Sequence, residues 1–303
     1  MSDSCKTCPT APGGKPDGGA PGGAKGAVDA LRDQLIATAL GKIKYKIFIM
    51  SGKGGVGKSS VAVNVAAALA KKGHQVGIMD VDIHGPSVPR LLGLKGQLDI
   101  DRGSLVKPKP YNENLKAVSM DSLLKDPDQA VMWRGPMKTT AIRQFIADMT
   151  WGELDFLVID SPPGTGDEHL TVLKMIPDAL CVVVTTPQEL SLADVRKAIN
   201  FLQYARANIL GVVENMSGLA CPHCGKEIPL FKKGGGRELA ERYGLPLLGA
   251  IPLDPATVVA GDLGTPVVYL DEESPAKRAL LDIADQVARR AAESLELAST
   301  PHT

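Results

Sequence analysis

The chain has 303 residues, which suits one large domain or two small ones. Hydrophobic residues make up 44% of it and charged residues 22%, which excludes a disordered polypeptide, and no run of about 18 apolar residues is present to span a membrane. Lysine and arginine together number 34, as do aspartate and glutamate, and aromatic residues make up only 4%. This composition argues against a strongly basic nucleic-acid reader, a polybasic membrane binder and rows of base-stacking rings.

The five cysteines do not fit a secreted disulfide framework. Their number is odd, four of them form two C-x-x-C pairs, and the sequence shows no signal peptide. We therefore expect a cytoplasmic protein.

The first 25 residues are rich in Gly, Pro, Ser and Ala and contain almost no large apolar side chain. Such a stretch cannot bury enough surface to offset the entropy of ordering, so it predicts a mobile tail. The tail contains one C-x-x-C pair, Cys5 and Cys8. From Val28 to about Leu40 the apolar residues recur at helical spacing, which predicts a short amphipathic helix packed on the body of the protein.

After this helix, short apolar runs alternate with helical patterns. The predicted strands are Tyr45–Met50, Gln75–Met79, Leu115–Ser119, Phe156–Ile159, Leu180–Thr185, Ile209–Val213 and Leu247–Ile251. The predicted helices are Ser60–Lys72, Met137–Met149, Glu168–Met175, Ser191–Ala205, Gly236–Tyr243 and Ala276–Leu295. This alternation predicts an α/β fold with a mostly parallel sheet and helices on both faces, and Gly96–Lys109 is expected to form a hairpin or an extended excursion.

The strongest motif follows the first predicted strand and precedes the first long helix. Residues 52–59 read Gly-Lys-Gly-Gly-Val-Gly-Lys-Ser and fit G-x-x-x-x-G-K-[ST] in full. Glycines let backbone N–H groups surround a phosphate, and the helix adds the positive end of its dipole. The predicted nucleotide-binding residues are Gly52, Lys53, Gly54, Gly55, Val56, Gly57, Lys58, Ser59 and Ser60.

Two lysines and one hydroxyl of this loop have predicted roles. Lys58 would reach the β- and γ-phosphates of ATP, and the Ser59 hydroxyl would ligate Mg²⁺. Lys53 is either a solvated loop charge or a cation that neutralises charge during phosphoryl transfer, as an arginine finger does. From the outer edge of the loop, Lys53 could reach a nucleotide held by a second subunit.

Polar residues at the ends of three other predicted strands complete the site. Asp160 would hold the Mg²⁺ shell through water, and the segment that follows it, to Asp167, suits a switch that senses the γ-phosphate. Asp82 could orient the attacking water, with Asp80 nearer the sheet, although each aspartate could instead be a loop or N-cap residue. Asn215 has the paired donor and acceptor needed to read an adenine edge, unless it is an ordinary strand-end residue.

The second C-x-x-C pair, Cys221 and Cys224 in Cys-Pro-His-Cys-Gly, resembles a metal knuckle. Two thiolates leave a tetrahedral site incomplete, so the same loop of a second subunit, the pair Cys5 and Cys8, or external ligands would have to finish it. Zinc and an iron–sulfur cluster both suit thiolates, and a redox dithiol is the remaining alternative. Cys181 lies in an apolar run and is expected to be a buried small hydrophobe.

The loop at Gly52–Ser59, with Lys53 inside it, resembles the deviant phosphate loop of the MinD/ParA/nitrogenase-iron-protein superfamily. Further stretches resemble one branch of it, the Mrp/ApbC-type iron–sulfur cluster carrier ATPases. These stretches are Asp80–Pro89, Trp133–Met137, Asp160–Asp167, Thr185–Gln188, Val213–Ser217 and Cys221–Gly225.

The resemblance implies ATP hydrolysis with Mg²⁺, coupled to transfer of a labile [4Fe–4S] cluster to apo iron–sulfur proteins. Two subunits, of this chain alone or with a paralogue, would share the cluster through Cys221 and Cys224 of each. It also implies that Lys53 is the signature lysine, Lys58 the phosphate-binding lysine and Ser59 the magnesium ligand. Asp82 would be the first-switch aspartate and Asp160 the Walker B carboxylate.

Composition, apolar spacing and the resemblance together predict a domain division, and the amino-terminal cysteines stay open. The division is a tail over residues 1–25, a leading helix over 26–41, a P-loop ATPase domain over 42–296 and a second tail over 297–303. Eukaryotic cytosolic relatives carry four cysteines in the amino-terminal segment, and many bacterial members carry none. This chain has two there, so Cys5 and Cys8 are a second, candidate pair of cluster ligands beside Cys221 and Cys224.

Two other functions remain alternatives. One is a MinD/ParA-like positioning ATPase that binds membrane or DNA, which would need a terminal amphipathic membrane helix or a basic face. The other is an ATPase in which the second cysteine pair binds a purely structural zinc ion. The mixed charge of Ala276–Leu295 favours a packed surface helix, so we expect neither nucleic acid nor membrane as a partner.

Overall fold

The computed structural model describes residues 34, 36–83, 85–96, 98, 106–120, 135–220, 224, 226–228 and 230–299. Residues 34 and 36–41 form the described part of the predicted leading helix, here called α1, and Ile36 and Leu40 on it are buried in the core. The tail over residues 1–25, with Cys5 and Cys8, lies outside the described residues.

The described strands form one sheet, as predicted. They are β1 (Ile43–Ser51), β2 (Val76–Asp80), β3 (Lys109–Pro110), β4 (Leu115–Ser119), β5 (Leu154–Asp160), β6 (Leu180–Thr185), β7 (Asn208–Ala220), β8 (Glu227–Ile228) and β9 (Leu247–Leu253). The order is β3-β4-β2-β5-β1-β6-β7-β8, and β9 also pairs with β7. The short strands β3 and β8 pair antiparallel to their neighbours, whereas the other pairings are parallel. The predicted mostly parallel α/β sheet is therefore confirmed.

Each predicted helix beyond α1 is also present, with ends that differ by a few residues. The described helices are α2 (Lys58–Lys71), α3 (Val88–Leu91), α4 (Gly135–Asp148), α5 (Asp167–Met175), α6 (Glu189–Tyr204), α7 (Gly235–Tyr243), α8 (Pro255–Asp262) and α9 (Pro275–Ser299), with a 3₁₀ turn at Val267–Tyr269. Helix α9 runs into the segment assigned to the carboxy-terminal tail.

The core has two layers, one on each face of the sheet. Side chains of α2 and α9 pack on one face, and side chains of α1, α4, α5, α6 and α7 pack on the other. The central strands are buried on both sides, which explains why they read as continuous apolar runs rather than alternating ones. Parallel strands bring their carboxyl ends to one edge of the sheet, and ligands of open α/β sheets bind there.

One strand differs from its prediction in a way that matters for the site. The polar residues after Val213 were expected to end the strand, but β7 continues to Ala220 and pairs with β8. At Met216 the chain adopts a left-handed conformation with φ of 58°, and the pairing with β9 shifts register between Asn215 and Leu219. Asn215 therefore lies inside a kinked strand rather than at its end.

Candidate functional site

The predicted phosphate loop connects β1 to α2, as its motif requires. Gly55 and Gly57 have φ values of 78° and 79°, a left-handed region that favours glycine. A Cβ atom at Gly52 would overlap the main chain of Asp194, and one at Gly57 would overlap the side-chain amide of Asn215. Gly52, Gly55 and Gly57 are therefore required by backbone conformation or by close packing.

The structure brings three predicted site residues into direct contact. The Nζ atom of Lys58 lies 2.5 Å from Oδ1 of Asp160 and 3.2 Å from Oγ of Ser59. Lys58 is 6% exposed and Asp160 is fully buried. The second carboxylate oxygen of Asp160, Oδ2, is also buried and has no hydrogen-bond partner. A buried acceptor in this position suits a cationic ligand.

Asp80 lies directly beside Asp160, because the two are register partners in β2 and β5. Burial raises the pKa of Asp80 to about 8, and the negative charge of Asp160 adds to the increase. Burial also raises the pKa of Asp160, although the ammonium group of Lys58 opposes that increase.

The carboxylate of Asp80 organises the loop that follows β2. It accepts hydrogen bonds from the backbone N–H groups of Asp82, Ser87 and Val88 at 2.9–3.1 Å. Oδ1 of Asp82 accepts a bond of 3.1 Å from the N–H of Gly85. Asp80 is therefore a structural anchor nearer the sheet, and Asp82 lies beyond it toward the phosphate loop.

A cavity of about 360 Å³ lies over the phosphate loop, lined in part by Lys53, Lys58, Ser59 and Asp82. The half-buried Lys53 thus faces the same space as Asp82, which is predicted to orient the attacking water. The cavity also touches Pro163, which belongs to the predicted switch segment. These residues, far apart in sequence, share one site.

A second cavity of about 390 Å³ continues from the first, since both are lined by Gly57, Ser60, Ser87 and Leu91. Asn215 lines this second cavity, and its Nδ2 atom donates a 2.9 Å hydrogen bond to the carbonyl of Val56. The two cavities together form a groove with a phosphate-binding end and a larger, mostly apolar end.

The far end of this groove contains residues that sequence reasoning missed. Asp254 and Thr257 line it, and Oδ2 of Asp254 and Oγ1 of Thr257 are buried without hydrogen-bond partners. Asp254 directly follows β9, just as Asp80 and Asp160 end their strands. The rule that singled out those aspartates would have found Asp254 too.

The predicted switch segment is tied to the sheet and to α5. The N–H of Gly164 donates to the carbonyl of Ser51 at 3.0 Å, and Nε2 of His169 bonds to the carbonyl of Pro162 at 2.9 Å. Burial lowers the pKa of His169, so its ring is neutral near pH 7. His169 therefore fixes one end of the segment, a role that its position in the sequence did not suggest.

Of the second cysteine pair, Cys224 is exposed and Cys221 lies outside the described residues. Cys181 is fully buried, and burial raises the pKa of its thiol to about 12, which confirms it as a buried small hydrophobe. No helix in the described part of the chain is long and apolar enough to cross a membrane.

A parallel sheet with a glycine-rich phosphate loop between β1 and α2 defines a P-loop NTPase. Residues 42–288 match the family described as ParA, NUBPL iron-transfer P-loop NTPase, and the chain belongs to that family. The expected kinship with the iron–sulfur carrier branch is confirmed by this match.

Curated relatives and a solved structure that are similar to this chain are consistent with this family. The iron-sulfur cluster carrier protein of Saccharolobus solfataricus is 47% identical over 256 residues, which cover 84% of this chain and 86% of that protein. The human cytosolic Fe-S cluster assembly factor NUBP2 is 43% identical over 253 residues, covering 82% and 93%. A nucleotide-binding protein from Archaeoglobus fulgidus, solved in complex with ADP, matches with a TM-score of 0.68 and 38% identity over 80% of this chain and 98% of that one.

Proposed function

We propose that this protein is a cytoplasmic ATPase that holds a [4Fe–4S] cluster at the interface of two subunits and delivers it to apo iron–sulfur proteins. The observation that carries the proposal is the course of β7. This strand contacts the phosphate loop through Asn215 and runs on toward the cysteine pair that begins at Cys221. The names of the relatives from Saccharolobus solfataricus and human support an iron–sulfur cargo.

The nucleotide half of the function follows from the groove. An ammonium group has three N–H donors, and Lys58 uses two of them on Asp160 and Ser59, which leaves one for a phosphate oxygen. The base and ribose would occupy the apolar end, where Asn215, Asp254 and Thr257 offer polar atoms. Lys53 would neutralise charge on the phosphates, and Asp82 would orient the attacking water.

The residues present fit a magnesium ion. Mg²⁺ prefers oxygen ligands and is usually bound through one or two carboxylates together with substrate phosphates. Oδ2 of Asp160 is a buried oxygen without a partner, and the hydroxyl of Ser59 lies beside Lys58. When bound there, Mg²⁺ would neutralise phosphate charge during hydrolysis.

The cargo half needs a second subunit. Cys221 and Cys224 supply two thiolates, and four are needed for a [4Fe–4S] cluster, so a two-fold axis through the cysteine loops would complete the set. The partner is a second copy of this chain or a paralogue.

Anaerobic reconstitution with iron and sulfide tests the proposal. We expect about four irons and four sulfides per dimer for the full chain, and loss of the cluster absorbance in Cys221→Ala and Cys224→Ala. Cys181→Ala is the matched control and should load normally, because that thiol is buried in β6. Lys58→Ala should load a cluster yet transfer it slowly to an apo-acceptor in the presence of ATP. Zinc in place of iron, with sulfide absent, would instead support a structural metal.

The positioning-ATPase alternative has less support from the described residues. One face of α9 consists of apolar residues that are buried against the body of the protein, namely Ala276, Leu280, Ile283, Ala284, Val287 and Ala291. That face is therefore not available to lie on a bilayer. ATP-dependent sedimentation with anionic liposomes would detect such binding if it occurs.

A further inference from the structure

Glu214 is a buried carboxylate in β7 that the nucleotide site does not use. It is 1% exposed, and its oxygens accept three hydrogen bonds. The hydroxyl of Ser217 donates to Oε1 at 2.5 Å, the N–H of Gly234 donates to Oε1 at 3.1 Å, and the N–H of Gly236 donates to Oε2 at 2.5 Å. A buried charge needs such partners, and bonds to an ionised acceptor are among the stronger ones in proteins.

These donors lie at both ends of the segment that contains the second cysteine pair. Ser217 precedes Cys221 in the sequence, whereas Gly234 and Gly236 follow Cys224. One carboxylate therefore bonds to the chain where it enters the cysteine-bearing segment and again where it leaves it. We call this arrangement of Glu214, Ser217, Gly234 and Gly236 the carboxylate clasp.

The glycines of the clasp allow the close approach. Gly234 has a φ of 87°, and a Cβ atom at Gly236 would lie 2.8 Å from Cβ of Glu214. A Cβ atom at Gly235, between them, would lie 2.8 Å from the carbonyl oxygen of Pro187. The run of three glycines is thus explained by the left-handed backbone at Gly234 and by close packing at Gly235 and Gly236.

The residue after Glu214 is Asn215, which bonds to the carbonyl of Val56 in the phosphate loop. Successive side chains of a strand point to opposite faces of the sheet. Two consecutive residues of β7 therefore make contacts in opposite directions, one to the phosphate loop and one to both ends of the cysteine-bearing segment. A buried strand is a rigid connection between the two.

We propose that Glu214 is a positioning residue for the cysteine pair, and that its clasp makes the state of the cysteines depend on the nucleotide. This inference rests on the proposed function, because it concerns the same cysteines. A change at the phosphate loop that moves Asn215 would move Glu214 with it, and so shift both ends of the cysteine-bearing segment.

The test replaces Glu214 by glutamine, which keeps the shape but puts an NH₂ group against a backbone or hydroxyl donor. The first readout is the alkylation rate of the exposed Cys224 in cluster-free protein, measured by peptide mass spectrometry with and without Mg²⁺ and a non-hydrolysable ATP analogue. We expect the analogue to change the rate in the wild type, and the ratio of the two rates to fall to about one in Glu214→Gln. The second readout is cluster loss to a chelator, which we expect to accelerate about ten-fold in the variant.

The matched control is Glu189→Gln. Glu189 is an exposed carboxylate that pairs with Lys232 at 2.9 Å, near the end of the same segment. It should behave as the wild type does in both readouts. A fluorescent ATP analogue should bind Glu214→Gln with an affinity within about two-fold of the wild type, since Glu214 does not line the groove.

The outcomes separate this inference from the proposed function. If the wild type assembles a cluster but Glu214→Gln keeps the wild-type ratio of alkylation rates, the role of Glu214 is overturned and the cargo stands. If no cluster assembles but the ratio still depends on Glu214, the positioning role stands and the cargo is wrong. Should Glu214→Gln fail to fold, Ser217→Ala removes one donor and must move the ratio part of the way toward one; an unchanged ratio in that variant overturns the role.

Discussion

Replacing Gly57 by alanine is the sharpest test of the packing between the phosphate loop and β7. Gly55 provides a matched control, because its φ of 78° is within a degree of the 79° at Gly57. The two positions differ in their surroundings. A Cβ atom at Gly55 would have no atom within 4 Å, whereas one at Gly57 would overlap the amide nitrogen of Asn215.

The expected magnitudes follow from this difference. Alanine in the left-handed region costs about 1–2 kcal/mol, and both variants should lose that much unfolding free energy. At Gly57 the new methyl group must also push the side chain of Asn215 away from the carbonyl of Val56. That movement breaks a hydrogen bond worth ~0.5–1.5 kcal/mol, so Gly57→Ala should be less stable than Gly55→Ala by about 1 kcal/mol.

Urea unfolding of nucleotide-free protein measures both losses, and a double-mutant cycle isolates the contact. In an Asn215→Ala background the overlap is gone, so Gly57→Ala should cost no more than Gly55→Ala does. Equal losses for the two single variants, or an undiminished loss in the Asn215→Ala background, would refute the reasoning. Both results would mean that Asn215 does not pack on the phosphate loop in solution.

Three further predictions concern buried polar groups in and beside the groove. The pKa of Asp80 is about 8 in the folded protein and 3.8 without burial, so the folded state binds an extra proton between these values. The unfolding free energy should therefore fall as pH rises from about 5 to 8, by at most ~1.4 kcal/mol per pH unit. Urea titrations at several pH values should show a flatter slope for Asp80→Asn. Parallel curves of unfolding free energy against pH for the wild type and the variant would contradict this. Lys58→Met should lose ~3–5 kcal/mol of unfolding free energy near neutral pH. The loss should shrink as the pH falls, because burial raises the pKa of Asp160 and a protonated carboxyl group is no longer a buried charge without a partner. Lys46→Met, whose carboxylate partner is exposed, should lose less. Thr257→Val should leave thermal stability unchanged or raise it, because the hydroxyl is buried without a partner, yet should weaken ATP binding about ten-fold by calorimetry; unchanged affinity would place the nucleotide elsewhere.

Much of the fold could be predicted from the sequence because the strands are buried on both faces. Continuous apolar runs bounded by glycine and polar residues mark such strands clearly, and the strand from Leu180 to Thr185 was predicted to the residue. The missed elements are short: α8 has eight residues, α3 has four, and β3 and β8 have two each. Their periodicity is too brief to read, and they depend on neighbours for stability.

The site was predictable where one local segment carries the chemistry, and was not where distant segments meet. The phosphate loop is contiguous, so its glycines and Lys58 could be read directly. The pairing of Lys58 with Asp160 joins residues 102 positions apart, and only the register of β1 and β5 brings them together. The domain division and the functional roles assigned to the site residues stay predictions.

The error at β7 shows why polar residues inside a strand are hard to read. Glu214, Asn215 and Ser217 follow an apolar run, and by local rules such residues end a strand. Here each of the three has a tertiary or local partner: Glu214 bonds to Ser217 and to glycines at the start of α7, and Asn215 bonds to the phosphate loop. Because their hydrogen bonds are satisfied, the backbone can remain in the sheet as far as Ala220. A polar run that continues a buried strand therefore indicates residues held by partners elsewhere in the chain, and in this protein those partners are the phosphate loop and the two ends of the cysteine-bearing segment.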